Sequence, residues 1–522
     1  MIDFIKKHKE SLLLVLILVL AFFLRFWRLG SIPPGLYPDI AANGTDAIRA
    51  IQTHHFQVFY LTNNGREGLF INLIALSFLI FGVSVWSIKI VSALFGFFTV
   101  LGTYLLGKEL FNKKVALFSS FFIAVSFWHV NFSRMGFRAI VLPFVLVYSF
   151  YFFFRGIRKN SWFDFILGGL FFGLGFHTYI SWRLAPAIIV VWILAKIILD
   201  RKFWHTYWPK ILVFIVSSIL AALPLLYYFL LHPADFMGRA GDVSVFKQPG
   251  ALKLILINSF KALAMFNIYG DYNWRHNLSG APIFTIPLGL LFLGGLVLTI
   301  VKLFKDFKKR DNNKFFIYLF LLLWFAVMLS PTILSSEGIP HALRAIGVIP
   351  VCLIFAGFFT YWLFKLKFWT KFSKQIKIIM LIVLLVLIGG LEFNRYFFAW
   401  VRSTEVSGAF TENLVNMGDY LNSLPTQNPQ YVVVNEGGVL ADNLPMPAQT
   451  VKFITYNKSN PTYLLPDDLK NIKTFPKGSV IAFMDYDKNL LSNLKDRFPT
   501  GQIEKIDLQP GNNSEFFIFK VN

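Results

Sequence analysis

Seven titratable side chains crowd the stretch GLYPDIAANGTDAIRAIQTHHFQVFYLTNNGREGLF (35–70): Asp39, Asp46, Arg49, His54, His55, Arg66 and Glu67. The stretch follows an apolar run (11–27) and precedes several hundred mostly apolar residues. A loop leaving a membrane span has no packing need for so many charges, and ionisable groups beside a bilayer mark function. Asp39 is the group suited to take a proton from an acceptor hydroxyl. The bland alternative is a helix N-cap, since the pattern starts a helix near Ile40. Asp46 comes seven residues later on the same helix face and reads as a surface charge. His54 and His55 read as locally hydrogen-bonded, and Arg66 and Glu67 complete the pocket candidates of this loop.

Four further clusters recur downstream. Arg134 and Arg138, in HVNFSRMGFRAI, are spaced to share a helix face, with snorkelling to the interface as the bland reading. His177, Tyr179 and Arg183 lie in GFHTYISWRLAP, and Asp271, Arg275 and His276 in GDYNWRHN. Glu337, His341 and Arg344 lie in SSEGIPHALRAIG, where His341 and Arg344 would share one face of a helix start. Its free amides and the arginine fork make a phosphate seat there. Together these residues describe chemistry with one base and several cations, suited to displacing a phosphate leaving group.

Other chemistries lose support. There is no P-loop, no G-x-G-x-x-G, no H-E-x-x-H and no C-x-x-C. The single cysteine, Cys352, sits in an apolar run, so neither a disulfide nor a thiolate cluster is available. No metal ligand set and no cofactor is indicated, although a divalent cation stays open. Asp485-Tyr486-Asp487 looks like a nucleotide-sugar metal motif but is short enough to arise by chance, and Gly169-x-x-x-Gly173 reads as a close helix contact.

The elements that must carry these residues are membrane helices. The 522 residues are 56% hydrophobic, 18% aromatic and 15% charged, with a mean hydropathy of +0.59. That balance excludes a soluble globule. The net charge of +22 comes from short basic segments between apolar runs, the pattern of loops beside anionic lipid rather than of a nucleic-acid binder. Spans of about 20 residues are expected near 11–28, 86–107, 115–131, 139–154, 163–180, 184–200, 210–231, 282–302, 315–334, 342–364 and 377–393, about eleven in all. The run 68–84 reads as an interfacial helix. The basic segments put the N-terminus inside, with the first span retained, and everything after 393 outside. Inner cations are mostly Lys, the exceptions being Arg155, Arg158, Arg201 and Arg310; the outer ones are mostly Arg, as anion binding requires. The expected organisation is a transmembrane domain over 1–393 and an extracytoplasmic domain over 394–522. The latter is α/β or α+β, with helices at TENLVNMGDYLNSLP and NLLSNLKDRFP and strands at YVVVNE, VKFITY, SVIAFMDY, QIEKIDL and EFFIFKV.

The early-Asp loop GLYPDIAANGTD, GREGLF and WSIKIVSALFGFFTVLGTYLLGKELF resemble the GT-C superfamily of integral-membrane glycosyltransferases. SFWHVNFSRMGFRAIVLP, HPADFMGRAGDVSVF, GDYNWRHNLSGAP and SEGIPHALRAIGVIP resemble the bacterial family 39 proteins, relatives of protein O-mannosyltransferases and of the aminoarabinose transferase of lipid A. The resemblance covers about residues 11–365. It implies inverting transfer of a sugar from a polyprenyl-phosphate carrier to a protein, lipid or glycan hydroxyl at the outer face of a bacterial plasma membrane. It also implies Asp39 as base, and Arg344 with Arg275 or Arg138 as phosphate-binding cations. The chain differs from protein O-mannosyltransferases after the SR pair, where SRMGFRA carries Arg138 and no acid. Two alternatives are a secondary transporter or lipid flippase, which should place ionisable groups at span midpoints, and a non-catalytic assembly subunit, which should tolerate Asp39→Asn.

Overall fold

The computed structural model describes residues 2–309, 312–508 and 514–522; Arg310 of the inner basic set lies outside them. The helices are α1 (Ile2–Phe26), α2 (Pro38–Thr53), α3 (Gly68–Phe81), α4 (Val85–Leu110), α5 (Lys113–Val125), α6 (Phe127–Met135), α7 (Val141–Lys159), α8 (Trp162–Leu174), α9 (Pro186–Leu199), α10 (Arg201–Leu231), α11 (Pro233–Asp242), α12 (Ala251–Ala264), α13 (Ile286–Lys309), α14 (Asn312–Ile333), α15 (Ile349–Leu363), α16 (Lys374–Asn394), α17 (Thr404–Ala409), α18 (Glu412–Ser423), α19 (Ala448–Ile454), α20 (Pro466–Asn471) and α21 (Lys488–Arg497). They fall into two compact units: Met1–Trp27 with Lys89–Trp400, and Arg28–Ile88 with Val401–Asn522.

The first unit is helical and apolar. Among the described residues 8 helices are long and apolar enough to cross a membrane, or 9 if the bent pair α5–α6 is one span. Of the about eleven spans expected, those near 11–28 and 163–180 do not meet this test among the described residues. α8 has only 13 residues before the chain tightens into a 3-10 turn at Gly175–His177, and α1 carries polar residues through its first turns. Close packing binds the bundle: α8 lies on α7 and α10, and α15 on α5 and α13. A Cβ on Gly169 or Gly173 would strike the backbone of α10 at Phe214 or Ser218, so α8 and α10 touch where side chains are absent.

Two buried polar ties shape the end of this unit that carries the clusters. α5 and α6 bend by 56° at Ser126, and there the Glu392 carboxylate accepts the Phe127 N–H at 2.6 Å. A carboxylate at a helix N-terminus satisfies an orphan amide and opposes the helix dipole. The same carboxylate accepts the Thr285 hydroxyl at 2.7 Å. Arg395, beyond α16, donates to the Ile283 carbonyl at 3.1 Å and to Asn277 Oδ1 at 2.9 Å. Trp400 Nε1 donates to the Trp274 carbonyl at 2.7 Å. Residues 274–285 are thereby fastened to the end of a membrane helix.

The second unit joins the first loop to the C-terminal region. β1 (Phe59–Tyr60) pairs antiparallel with β2 (Arg66–Glu67), and α3 follows and packs on α2. β3 (Gln430–Val433), β6 (Thr462–Leu464), β7 (Val480–Phe483), β8 (Gln502–Ile506) and β9 (Phe516–Lys520) form one sheet in the order β6-β3-β7-β9-β8. β3 is parallel to β6 and β7, whereas β9 is antiparallel to β7 and β8. β4 (Leu440–Ala441) and β5 (Leu444–Pro445) make a small hairpin. The β-like run VKFITY is instead the short helix α19, because Ala448, Val451 and Phe453 bury against α2 and α18. Thr450 donates to the Leu36 carbonyl at 3.0 Å and Gln449 to the Ala441 carbonyl at 3.1 Å. Tertiary burial overrides β propensity in so short a segment. Asp487 caps α21 through the amides of Asn489 and Leu490, a structural use for the Asp-Tyr-Asp run.

Candidate functional site

The main cluster lies in the first unit, where four sequence-distant segments meet. Asp271 is its hub. Its Oδ1 accepts the Asn273 N–H at 2.8 Å, and its Oδ2 accepts the Ala342 N–H at 2.8 Å, tying the 271–277 loop to the turn before α15. Oδ2 also meets Nδ1 of His276 at 2.9 Å. The rings of His276 and His341 lie 4.9 Å apart, and that of Phe137 lies 6.5 Å from His276. Arg138, next to Phe137, stands 6.0 Å over the ring of Tyr179. Ser181 donates to the Arg344 carbonyl at 3.4 Å, and Asn131 to the Arg275 carbonyl at 2.9 Å. Thus Arg138, Tyr179, Asp271, Arg275, His276, His341 and Arg344 occupy one neighbourhood.

Arg344 is aimed by its own loop: its guanidinium donates to the Ser335 hydroxyl and, at 2.7 Å, to the Glu337 carbonyl. The Glu337 carboxylate is 67% exposed and 3.8 Å from the guanidinium, so it remains on the rim. Ser335 is held by Asn258 of α12, which donates to its carbonyl at 3.0 Å. Arg275 Nε donates to Asn273 Oδ1 at 3.2 Å. The sequence named the charged residues but passed over Asn131, Asn258, Asn273 and Ser335; Asn131 and Asn273, within the HVNFSR and GDYNWRHN motifs, were the available signal.

Electrostatics keep the cluster anion-seeking. Burial pushes His341 well below the ordinary imidazole value, helped by His276 and opposed by Asp271, with Arg344 and Arg275 also pushing it down. Burial lowers His276 too; the Asp271 bond pulls it back, while Arg275 and Arg344 push it down. Burial alone would raise the Asp271 carboxyl, but the His276 hydrogen bond, the charges of His276 and His341 and the Asn273 amide together outweigh it and hold the group below its ordinary value. The positive charge here resides chiefly on Arg275 and Arg344, and guanidinium forks suit phosphate.

Several expectations need correction. His341 and Arg344 do not open a helix: residues 342–345 are a turn, and the helical backbone starts at Ile346. The amides are occupied, that of Ala342 by Asp271 and that of Arg344 by His341 Nδ1 at 3.4 Å. The seat is therefore made by side chains and not by a helix terminus. Arg134 and Arg138 do not share a helix face, because Gly136 ends α6 with φ 88° in the left-handed region. Arg134 does not snorkel: fully buried, it donates to the carbonyls of Leu24 at 2.8 Å and Trp27 at 2.7 Å, capping the end of α1. His177 is buried against α10, bonded to the Ala221 carbonyl at 3.0 Å.

In the second unit, Asp46 is not a surface charge. It is buried and paired with the fully buried Arg66, accepts the Thr62 hydroxyl at 2.7 Å, and meets Arg49 at 3.4 Å. Arg66 also donates to Asn43 Oδ1 at 2.5 Å and to the Thr62 carbonyl at 3.2 Å. Glu67 is buried at the N-cap of α3. Asp39 differs from all of these. Tyr37, not Asp39, is the N-cap of α2, with Pro38 beside it. Asp39 sits in the first turn, half-buried, with no hydrogen bond or ion pair among the described residues.

Residues 69–228 match the family model described as dolichyl-phosphate-mannose-protein mannosyltransferase. The Bacillus subtilis (strain 168) protein named "Putative mannosyltransferase YkcB" is 26% identical over 201 residues, which span 36% of this chain and 27% of that protein's length. ArnT from Cupriavidus metallidurans bound to undecaprenyl phosphate shares the fold with a TM-score of 0.55 at 12% identity, covering 98% of each chain. Archaeal oligosaccharyltransferase AglB from Archaeoglobus fulgidus, in complex with an inhibitory peptide and a dolichol-phosphate, gives 0.53 at 13% identity, covering 88% of this chain and 65% of that one. The chain has the fold of ArnT and of AglB, and its residues 69–228 match the model of dolichyl-phosphate-mannose-protein mannosyltransferases.

Proposed function

We propose that this chain is a membrane glycosyltransferase that moves a sugar, with inversion, from a polyprenyl-phosphate donor to an acceptor hydroxyl outside the bacterial plasma membrane. The observation that carries the reading is the meeting of Arg275 and Arg344 around Asp271, His276 and His341, a seat with more cationic than anionic side chains. Arg344, Arg275 and Arg138 hold the donor phosphate, with His341 as a neutral hydrogen-bonding partner. Their charge stabilises the phosphate as the glycosidic bond breaks, so the leaving group needs no strong acid. Asp39 takes the acceptor proton; a carboxylate with no side-chain hydrogen bond or ion pair among the described residues suits that role better than the locked Asp46. The fold shared with ArnT bound to undecaprenyl phosphate supports a lipid-phosphate donor, and the family match makes mannose the first sugar to try. The acceptor is a glycan, lipid or protein hydroxyl.

The deciding experiment supplies purified protein with radiolabelled polyprenyl-phosphate sugars and reads both label transfer and carrier release. Turnover in the wild type, with Asp39→Asn binding donor but not turning it over, is the expected result. Absence of donor binding and of turnover across mannosyl, glucosyl and aminoarabinosyl carriers would overturn the reading. An Asp39→Asn chain with full activity would remove the base.

A further inference from the structure

Asp271 Oδ2 lies 2.9 Å from Nδ1 of His276 and 3.9 Å from Nδ1 of His341. One donor atom from each of these residues lies within 4.8 Å of the other two, and among the described residues no other group of His, Cys, Asp or Glu does so. The shorter distance is a hydrogen bond; the longer one is not. His341 Nδ1 already accepts an N–H, that of Arg344 in its own turn, at 3.4 Å. That contact is longer than an ordinary N–H hydrogen bond, so the Nδ1 lone pair is weakly engaged and lies beside a carboxylate oxygen that is itself acceptor-only. An ion bound between them would take up that lone pair and replace the proton shared by His276 Nδ1 and Asp271, leaving the His276 proton on Nε2. A tetrahedral ion with bonds of about 2.1 Å spaces its ligands about 3.4 Å apart, and the two measured separations straddle that value.

We propose that Asp271, His276 and His341 bind one divalent transition-metal ion, Zn(II) by preference, which clasps the 271–277 loop to the turn before α15. Two imidazoles and one carboxylate are a ligand set for zinc, and three protein ligands leave a fourth position open. The supporting bonds that fix such ligands are in place. Asn273 N–H holds the second Asp271 oxygen at 2.8 Å, Ala342 N–H holds the first at 2.8 Å, and Asn277 Nδ2 holds the Asp271 carbonyl at 3.2 Å. The guanidiniums nearby oppose a cation, but each donates to oxygen acceptors of its own, Arg344 to Ser335 and Glu337 and Arg275 to Asn273. One carboxylate leaves the bound ion with a net positive charge. With Arg275 and Arg344 beside it, the open position takes an anionic oxygen, as of a phosphate.

This inference stands on geometry and not on the transferase reading. Its test is metal content, so failure of sugar transfer leaves it untouched. The full chain is purified without chelator and its metals are counted by plasma mass spectrometry. It is then stripped, titrated with Zn(II), and titrated with Co(II) as a visible-absorption probe. One equivalent bound, a tetrahedral Co(II) spectrum and a higher unfolding temperature with Zn(II) are expected. His341→Ala should bind more than about 100-fold more weakly, since ligand loss exceeds the 10–100-fold cost of losing a supporting bond. Should that variant fail to fold, Asp271→Asn is compared in the same way. A stripped wild-type chain that binds no equivalent of Zn(II) at micromolar concentrations overturns the inference, as do variants that bind like the wild type.

Discussion

Asp46 and Asp271 are both buried carboxylates beside basic side chains, one in each unit, and their surroundings separate structure from chemistry. Asp46 is closed in. Both its oxygens are taken by Arg66, Thr62 and Arg49, Arg66 spends its other nitrogens on Asn43 and Thr62, and Arg49 continues to Asp442 at 2.6 Å, which also binds Lys452 at 2.8 Å. Each charge along this chain of contacts has a direct ion-pair partner. Asp271 is instead outnumbered: two neutral imidazoles and two guanidiniums stand around one carboxylate, whose strongest bonds go to backbone amides and a histidine. A matched network holds a loop together. An unmatched one has affinity left over for an anion.

Asp39→Asn is the largest test of that difference, because Asp39 and Asp46 share α2 yet only Asp46 is paired. Loss of a general base lowers turnover by roughly 10²- to 10⁴-fold, with donor binding retained in a filter assay. Equal turnover in variant and wild type would erase the contrast between the two aspartates. Next in size is Arg66→Met, which leaves the buried Asp46 with only Thr62 and the longer, half-exposed Arg49 pair, at a cost of up to about 3 kcal/mol. Thermal and denaturant unfolding should both record the loss. A stable Arg66→Met chain that no longer transfers sugar would make Arg66 a pocket residue after all.

Arg344→Ala should behave in the opposite way. Removing one cation from the departing phosphate costs about 3 kcal/mol of transition-state stabilisation, roughly a 100-fold loss. Stability should move less than in Arg66→Met, because the side chain is partly exposed and the partners named above are a neutral hydroxyl and carbonyl, not a buried charge. Arg344→Lys should restore only part of the rate, since an ammonium lacks the planar fork. An Arg344→Ala chain that unfolds as readily as Arg66→Met would collapse the two regions into one kind.

Much of the architecture was legible in the apolar runs, since a span announces itself by length and composition alone. The same signal marked 115–131 and 163–180 as spans but not their breaks: α8 gives way to a 3-10 turn at Gly175–His177, and α5–α6 bends where a glutamate from α16, distant in sequence, caps the break. The residues around Asp271 were legible as separate motifs, but not their convergence, which depends on polar ties such as Asn131 to Arg275 and Asn258 to Ser335. Local rules failed at Arg134 and Asp46 for one reason: spacing predicts the face of a helix and not what covers it. VKFITY went wrong likewise, as burial against α2 outweighed its β-branched and aromatic content.

The smallest effect tests the closed unit where it is least closed. Glu436 follows β3 and faces Asp485, which follows β7, and it has no hydrogen bond among the described residues. Burial, and then the Asp485 charge, push its carboxyl up to about 7 from an ordinary 4.5. The folded chain therefore holds this proton more tightly than the unfolded chain does. Its contribution to stability is fully present below the ordinary value and is lost as pH rises through about 7. The group is partly solvated, so screening limits the change to a Tm shift of about 2 °C between mildly acidic and mildly alkaline pH. Glu436→Gln removes the titration: its Tm should match the wild type in acid and exceed it in alkali. Parallel pH profiles for the two chains would mean that the carboxyl is ordinary and fully solvated. A wild-type Tm that climbs through this range would mean that a cation compensates Glu436 and Asp485, and this part of the second unit would then be ion-paired like the contacts around Asp46.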